Sequence, residues 1–287
     1  MAETTWVVTA VSGRHDHLRE QRRVLAEVAP QAHHVVVSMG DPAIEGVVAE
    51  ASRPPGRDVV RQVEPGPPLL PLSRARNLGV EMALSHGAAL VVLLDVDCVP
   101  GPGLVGAYEQ AARVCPRALL AGPVTYLAAG VAVPKDPADL ADLRAPHAAR
   151  PDPPAGSLVA GGDPDLFWSL SCAMTPQTWR LVGGFHEGYA GYGAEDTDFG
   201  RLARSRGVDL VWVGGADAFH QHHPVSSPPI EHLADIVRNA RTFHDRWREW
   251  PMRGWLEEFR RRGLVRWEGE HLELTGRGRG LSPEGHG

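Results

Sequence analysis

The segment ALVVLLDVD constrains the fold more than any other part of this chain. Aliphatic residues from Leu90 to Leu94 run directly into two carboxylates, Asp95 and Asp97. An uninterrupted aliphatic run is typical of a strand that is buried on both faces, as in a parallel sheet. Burying an ionised carboxylate is costly unless a cation or a hydrogen-bond donor lies opposite. We therefore expect the two acids to mark a site at the end of a central strand.

Strand-like and helix-like segments alternate through the first half of the chain. Apolar runs predict strands over residues 4–12, 33–39, 58–64 and 89–97, and helical spacing predicts helices over 17–29, 73–87 and 102–114. Ser73 is expected to cap the helix over 73–87 and Gly87 to end it. The alternation predicts an α/β fold with a mostly parallel sheet flanked by helices. Ligands in such folds bind at the carboxyl ends of strands, where Asp95 and Asp97 lie.

The second half of the sequence is less regular. Residues 130–165 include seven prolines, which predicts a long mobile loop, either a lid or a disordered connector. Residues 230–263 predict a helical C-terminal tail, and residues 275–287 predict a disordered end. Trp247, Trp250 and Trp255 of the tail pack as core or contact a membrane or a partner; both alternatives stay open.

Composition and charge exclude several classes of protein. The 287 residues carry a net charge of −6, so a general nucleic-acid-binding surface is not expected. Three unpatterned cysteines argue against a disulfide framework and for a reducing compartment. The sequence shows no secretory signal and no apolar run long enough to span a membrane, so a soluble, cytoplasmic protein is expected.

The pair Asp95 and Asp97 predicts a metal site. Side chains alternate along an extended strand, so the two carboxylates are expected to point to the same side. Two like charges so close together repel each other unless a cation or a donor lies between them. Mg²⁺ and Mn²⁺ favour carboxylate oxygens and leave positions for phosphate, so the pair indicates a nucleotide-linked diphosphate. An exposed turn or an Asx cap is the alternative reading of so short a pattern.

The segment GGFHEGYAGYGAEDTDFGRL, residues 183–202, is the second candidate. Glycines and aromatic residues lead into Glu195, Asp196 and Asp198 at the start of a predicted helix. The positive end of the helix dipole accounts for one or two of these acids. Asp196 shares a helix face with Phe199, so an inward-facing Phe199 places Asp196 toward the protein, where a general base is expected.

Three histidines follow a predicted strand in the sequence HQHH, namely His220, His222 and His223. Imidazole is a suitable ligand for Mn²⁺ or Zn²⁺. If the strand continues, His220 and His222 share one side, so at most two of the three bind one ion. The alternative is that all three are solvated loop residues.

Together these motifs resemble a known family. The D-V-D after an aliphatic strand resembles the DxD motif of GT-A glycosyltransferases, and LSRARNLGVEMA resembles a segment of family 2 glycosyltransferases. Residues 183–202 resemble a segment that family 2 shares with beta-1,4-galactosyltransferases. The resemblance spans residues 4–224. It implies a GT-A (Rossmann-like) fold and a metal-dependent, inverting transfer of a sugar from a nucleoside-diphosphate donor, first of all a UDP-sugar, to an acceptor hydroxyl. The acceptor, a carbohydrate, lipid or small molecule, stays open.

The resemblance implies a metal shell at the D-V-D motif. Asp97 is expected to hold Mn²⁺ or Mg²⁺, and Asp95 to contact the ribose and the water shell of the metal. A late histidine completes the shell, His220 first and His222 second.

The resemblance also implies roles for residues outside the metal shell. Asp196 is expected to be the catalytic base, and Glu195 to bind the acceptor. The residues expected to bind the donor are Tyr192 at the sugar, Val11, Arg14 and Asp41 at the base, and Arg76 at the nucleotide. The implied organisation is a nucleotide-sugar-binding half over 1–125, an acceptor-binding and catalytic half over 126–225, and a helical extension over 226–287.

The chain departs from the family pattern in three places. Its second strand ends in SMGDP rather than in paired acids, His186 replaces a common Asp, and residues 130–165 have no counterpart. Three other functions stay open. They are a nucleotidyltransferase that makes sugar nucleotides, a non-catalytic binding protein on a transferase scaffold, and a metallohydrolase that uses His220, His222 and His223.

Overall fold

The computed structural model describes residues 4–50, 57–64, 69–224 and 226–281. The strands in this part of the chain are β1 (Thr5–Val11), β2 (His33–Met39), β3 (Asp58–Val63), β4 (Leu90–Leu94), β5 (Cys98–Pro100), β6 (Leu119–Ala121), β7 (Val124–Tyr126), β8 (Leu158–Ala160), β9 (Ser171–Met174), β10 (Leu210–Val213), β11 (Ala218–His220), β12 (Val265–Glu268) and β13 (His271–Leu274). The helices are α1 (His15–Val28), α2 (Ile44–Glu50), α3 (Leu72–Ser85), α4 (Leu104–Val114), α5 (Pro176–Val182), α6 (Glu195–Ser205), α7 (Leu233–Trp247), α8 (Arg253–Arg261) and α9 (Gly276–Arg279).

Among the described residues, eight strands form one sheet in the order β3-β2-β1-β4-β9-β6-β10-β8. Strand β1 pairs in parallel with β2 on one side and with β4 on the other, whereas β9 and β8 run antiparallel to their neighbours. The predicted mostly parallel α/β sheet is therefore confirmed. Because β1, β2 and β4 run in the same direction, the loops that follow them meet at one edge of the sheet.

Helices cover both faces of this sheet, as the continuous aliphatic strands predict. Residues of α3, α5 and α6 pack on the face of β1 that carries Val8, and residues of α1 and α4 pack on the opposite face. The approach of α3 is close: a Cβ at Gly79 would lie 2.3 Å from Val8 Cγ1. A side chain there would force Val8 or the helix to shift, which favours glycine at this residue of the RARNLG segment.

Helix α3 begins one residue before the predicted Ser73 cap. It starts at Leu72 after Pro71, whose carbonyl accepts the first backbone bond, from the Ala75 N–H at 2.9 Å. The Ser73 hydroxyl is buried without a hydrogen-bond partner in the part of the chain that the structure describes. The predicted end is confirmed, since Gly87 follows the helix with φ of +81°.

Residues 130–165 contain regular structure that their prolines did not predict. A 3₁₀ helix covers Pro137–Leu143, and β8 adds to the edge of the large sheet by pairing with β10. The carbonyls of Pro153 and Pro154 pack so close to Gly214 that a Cβ there would clash with them. Parts of the segment thus pack on the second half of the sheet, which differs from the long mobile loop, a lid or a disordered connector, that was expected.

The C-terminal tail is helical over α7 and α8, as predicted, and then forms a hairpin of β12 and β13 that was not predicted. Trp250 and Trp255 pack against a hydrophobic cluster of the tail, which favours the core interpretation of these rings. Residues 276–279 of the predicted disordered end form α9, and residues 282–287 lie outside the described residues. No helix in the described ranges is long and apolar enough to cross a membrane.

One carboxylate attaches the tail to helix α6. Asp198 is fully buried and accepts hydrogen bonds from Tyr189 Oη (3.1 Å), Arg246 Nε (2.7 Å) and Trp247 Nε1 (2.7 Å). Arg246 and Trp247 belong to α7, so this acid of the EDTD sequence has a structural role at the junction of two helices.

We predict that Asp198→Ala lowers the free energy of unfolding by about 3 kcal/mol, because three buried or half-buried donors lose their acceptor. Urea denaturation measures the loss. Glu273→Ala is the control, since Glu273 forms an exposed ion pair with Arg266 and its removal should cost less than about 1 kcal/mol. Equal small losses in the two variants would contradict the buried attachment.

Candidate functional site

The two acids after β4 lie in a turn rather than on an extended strand. Strand β4 ends at Leu94, Asp95 N donates to Leu170 O at 3.0 Å, and Cys98 N donates to Asp95 O at 2.8 Å. The turn sends the two carboxylates to different partners, so the prediction that they share one side of a strand is wrong. Asp95 meets an arginine, and Asp97 meets two histidines.

Arg76 of α3 lies at the centre of the first group. Its side chain is only 3% exposed, and Nη2 donates to Asp95 Oδ1 at 3.0 Å. Nη1 donates to Glu195 Oε1 at 3.2 Å and to Asp196 Oδ1 at 3.3 Å. The sequence predicted that Arg76 reaches the nucleotide. In the structure its guanidinium binds three carboxylates from two distant segments, and the nucleotide contact stays a prediction.

Ionising all three acids around a single cation costs free energy, because the carboxylates repel one another. Burial and the neighbouring Asp196 raise the pKa of Glu195 to about 7, although Arg76 opposes them. Burial also raises the pKa of Asp95, and Arg76 offsets part of that rise. Burial alone would lower the pKa of Arg76, but Asp95, Asp196 and Glu195 outweigh it and raise that pKa. The guanidinium therefore stays charged and holds the acids together.

Asp196 lies in the first turn of α6, at the edge of this group. Its side chain is 25% exposed, whereas that of the neighbouring Glu195 is 10% exposed. Ser169, just before β9, donates its hydroxyl to Asp196 Oδ1 at 2.5 Å and its backbone N–H to Oδ2 at 3.1 Å. Phe199 is fully buried, as the shared-face argument expected. Arg76 and Ser169 thus fix the orientation of a carboxylate that still reaches solvent.

The second group is a cluster of Asp97, His220 and His223. The Nε2 atoms of His220 and His223 lie 3.4 Å and 3.3 Å from the two Asp97 oxygens. Burial alone would raise the pKa of Asp97, but the two imidazoles outweigh it and hold that pKa well below its usual range. One ligand atom from each residue lies within 4.8 Å of the others, which is close enough for all three to hold one metal ion.

Strand pairing explains how these residues meet. In the register of β11 with β5, His220 lies opposite Cys98, the neighbour of Asp97. The strand ends there, because Gln221 N donates to Asp97 O at 2.6 Å and the chain turns. The prediction of His222 as second ligand is corrected for this reason: His222 is exposed, and the turn returns His223 to Asp97.

The residues predicted to bind the base lie at the ends of β1 and β2. Val11 is buried at the end of β1, and Arg14 is exposed with a left-handed φ of 52°. Asp41 accepts from Gly13 N at 2.9 Å and lies 2.8 Å from His15 Nε2. Burial opposes these contacts, yet they lower the pKa of Asp41. Asp41 therefore joins the loop after β2 to the loop after β1, beside the exposed Arg14.

Tyr192, predicted to line the donor sugar, lies in the glycine-rich approach to α6. Its ring is 39% exposed and stacks on His232 at 4.5 Å between centroids. Burial and the neighbouring Glu195 raise the pKa of Tyr192 to about 12. His232 and Ser169 contribute to the site without any signal in the sequence, whereas His223 belonged to a motif that the sequence did single out.

Comparison with solved structures identifies a similar fold. The structure of GalNAc-T7 with UDP, GalNAc and Mn²⁺ matches with a TM-score of 0.59 and 13% sequence identity, over 83% of this chain and 47% of that one. The chain thus spans about half the length of that protein. At this identity the likeness shows the fold alone, and it confirms the predicted GT-A fold. No protein family matches the chain, and no curated protein is similar to it in sequence.

The raised pKa of Glu195 makes stability depend on pH. Between its ordinary value of 4.5 and the folded value of about 7, the folded protein keeps a proton that the unfolded chain has released, so stability falls as pH rises. We predict that Glu195→Gln lacks this fall. Relative to wild type, the variant should gain on the order of 3 kcal/mol between pH 4.5 and pH 7.

Urea denaturation across that pH range measures this difference. Glu187→Gln is the control, because Glu187 is an exposed acid of the same glycine-rich segment. It should follow the wild-type pH profile. A constant offset between Glu195→Gln and wild type would show that Glu195 ionises normally.

Proposed function

We propose that this protein is a metal-dependent glycosyltransferase that moves a sugar from a nucleoside-diphosphate donor, first of all a UDP-sugar, to an acceptor hydroxyl with inversion. The observation that carries the proposal is the placement of two groups side by side at the carboxyl end of β4. Asp97 belongs to a cluster that can hold a metal ion, and Asp95 belongs to a cluster that holds an oriented, partly exposed Asp196. The GT-A fold of the chain supports the same function.

The donor set of the histidine cluster fits Mn²⁺. One carboxylate and two imidazoles are ligands that Mn²⁺ accepts, and three protein ligands leave positions for diphosphate oxygens. The matched GalNAc-T7 structure contains both UDP and Mn²⁺. A divalent ion bound by Asp97, His220 and His223 would neutralise the charge that develops on a leaving nucleoside diphosphate.

Other residues of the chain have roles in binding the two substrates and in accepting the proton. Arg14 is exposed at the edge where the loops after β1 and β2 meet, a position suited to the nucleotide. Asp196 accepts the proton of the attacking hydroxyl, since its oxygens are held by Ser169 and Arg76 and remain partly exposed. Glu195, with a pKa of about 7, holds or releases a proton near neutral pH and suits a hydrogen bond to the acceptor. The exposed ring of Tyr192 gives the sugar an apolar face.

The alternative functions receive less support. A metallohydrolase that uses all three histidines lacks support for His222, which is exposed and does not belong to the metal-competent group of Asp97, His220 and His223 found among the described residues. A nucleotidyltransferase remains compatible with the sheet, and release of pyrophosphate from a nucleoside triphosphate and a sugar phosphate would identify it. A non-catalytic role does not explain why Asp196 is both oriented by two partners and left accessible.

The first prediction from this proposal concerns the metal ligands. UDP should raise the melting temperature in Mn²⁺ and much less in EDTA. His223→Ala should raise the Kd for Mn²⁺ about tenfold or more, equivalent to at least about 1.4 kcal/mol of lost binding. His222→Ala is the matched control, an exposed histidine one residue away, and should bind like wild type. Equal UDP affinity in EDTA and Mn²⁺ would exclude the metal bridge.

The second prediction concerns the base. Asp196→Asn keeps the shape of the side chain but loses its basicity, so kcat should fall by about 10²–10⁴ while the affinity for UDP and Mn²⁺ stays nearly unchanged. UDP release from UDP-sugars, offered with carbohydrate, lipid and small-molecule acceptors, measures the rate. Ser169→Ala keeps the carboxylate and removes one of its two Ser169 contacts, so it should lose much less. Transfer at the wild-type rate by Asp196→Asn would eliminate Asp196 as the base.

A further inference from the structure

Arg150 is a buried cation for which the described residues supply no hydrogen-bond acceptor. The residue is 5% exposed, and Nε, Nη1 and Nη2 are all buried without a partner. Its Cζ lies 4.7 Å from the ring centroid of Trp212 and 5.2 Å from that of Trp168. Two cation–π contacts offset only part of the cost of desolvating a guanidinium and leave its N–H donors unused.

The backbone of this segment is held in place, so the position of Arg150 is defined. His147 N donates to Val124 O at 2.9 Å, and Arg150 N donates to His147 O at 3.1 Å. Arg144 donates to Asp217 Oδ1 at 2.8 Å and forms an ion pair with Asp152. Val124 belongs to β7, which pairs with β11 and its metal-cluster residue His220. The residues around Arg150 therefore border the same small sheet as the candidate metal site.

A row of aromatic rings leads from the metal cluster to this guanidinium. Tyr126 packs on His220 at 4.6 Å, and His147 meets Tyr126 at 5.7 Å. His147 also meets Trp168 edge-on at 5.1 Å, and Trp168 carries Arg150 on its face. Trp168 directly precedes Ser169, which donates to Asp196. The Trp168 ring thus links Arg150 to the metal cluster through His147 and Tyr126, and Trp168 is also the chain neighbour of Ser169, which orients the candidate base.

Charge does not explain the position of Arg150. Burial lowers the pKa of its guanidinium, and nearby groups such as Tyr108, Tyr126 and Asp196 do not reverse the shift. Arg201 is a useful comparison, because it is an arginine that has a carboxylate partner within the protein. That side chain also lies over an aromatic ring, Phe243, at 5.0 Å, but it donates to Asp165 at 2.6 Å. Arg150 has the ring contacts, but no carboxylate of the described residues pairs with it.

We propose that Arg150 binds an oxyanion, a carboxylate or a phosphate group, of the ligand that occupies this site. The planar guanidinium fork matches the two oxygens of either group. Two sources have this chemistry, namely the diphosphate of the donor and an acidic group on the transferred sugar or the acceptor. The inference rests on the proposed function for the identity of that ligand, but binding of a free oxyanion can be measured without nucleotide or metal.

The test compares wild type, Arg150→Gln and Arg201→Gln in EDTA, with inorganic phosphate replacing chloride at constant ionic strength. Phosphate should raise the melting temperatures of wild type and Arg201→Gln alike and leave that of Arg150→Gln unchanged. Without phosphate, Arg150→Gln should melt no lower than wild type, because it removes an uncompensated buried charge. An equal phosphate response in wild type and Arg150→Gln, or a less stable Arg150→Gln with no phosphate response in wild type, would overturn the proposal.

Arg150→Lys keeps the charge and loses the fork, which provides a second variant should Arg150→Gln fail to fold. Its apparent Kd for phosphate should be about tenfold weaker than that of wild type, the factor expected for one lost charge-assisted hydrogen bond. An unchanged Kd would overturn the proposal.

Two further ligands distinguish the source of the oxyanion in the same variants. Weaker binding of UDP with Mn²⁺ to Arg150→Lys would assign Arg150 to the donor diphosphate, and weaker binding of glucuronate alone would assign it to an acidic sugar or acceptor. If phosphate raises the melting temperature of wild type but neither UDP nor Mn²⁺ does, the proposed function is contradicted. The anion site at Arg150 is then still supported.

Discussion

The contact between Arg76 and three carboxylates is the interaction on which the rest of the site depends. Asp95 comes from the turn after β4, and Glu195 and Asp196 come from the start of α6, a hundred residues later in the chain. Without a cation between them, these acids would repel each other in a buried environment. Because Arg76 is 3% exposed, it works as a structural counter-ion. It brings the end of the central strand and the start of α6 together, and Ser169 then completes the orientation of Asp196.

The turn at Asp95 to Cys98 gives the two acids of the D-V-D motif different partners. Asp95 joins the arginine-centred group, whereas Asp97 joins His220 and His223. The result is two adjacent groups with different chemistry. One is a carboxylate cluster that a single protein cation neutralises in part, and the other is a cluster of a carboxylate and two imidazoles that could hold a metal ion. A reaction in which a diphosphate leaves and a hydroxyl attacks could use both groups, which is why we propose glycosyl transfer for this geometry.

Two segments outside the glycosyltransferase-like motifs, residues 130–165 and the C-terminal tail, pack around the candidate site. Residues 130–165 extend the sheet through β8 and bring Arg150 between Trp168 and Trp212. The tail packs on α6 through the buried Asp198. In both cases a polar side chain defines the junction. Asp198 has three hydrogen-bond donors within the protein, whereas the described residues offer Arg150 no acceptor, and this difference separates a structural junction from a candidate binding site.

The sequence by itself determined the α/β class, the parallel strands β1 to β4, the longer helices and the segments that carry the candidate site. These features follow from local periodicity and from the free-energy cost of placing acids at the end of a buried strand. Both can be recognised in the sequence itself. Only the tertiary structure decided which partner each charge takes. Arg76 lies opposite Asp95 and Glu195 because α3 and α6 cover the same face of the sheet, and His223 replaces His222 because the chain turns at Gln221. The fold of residues 130–165 was equally inaccessible, since its stability comes from contacts with β10 and Gly214 rather than from its own residues. Long-range pairing depends on the distance between side chains in space, and a local pattern carries no measure of that distance.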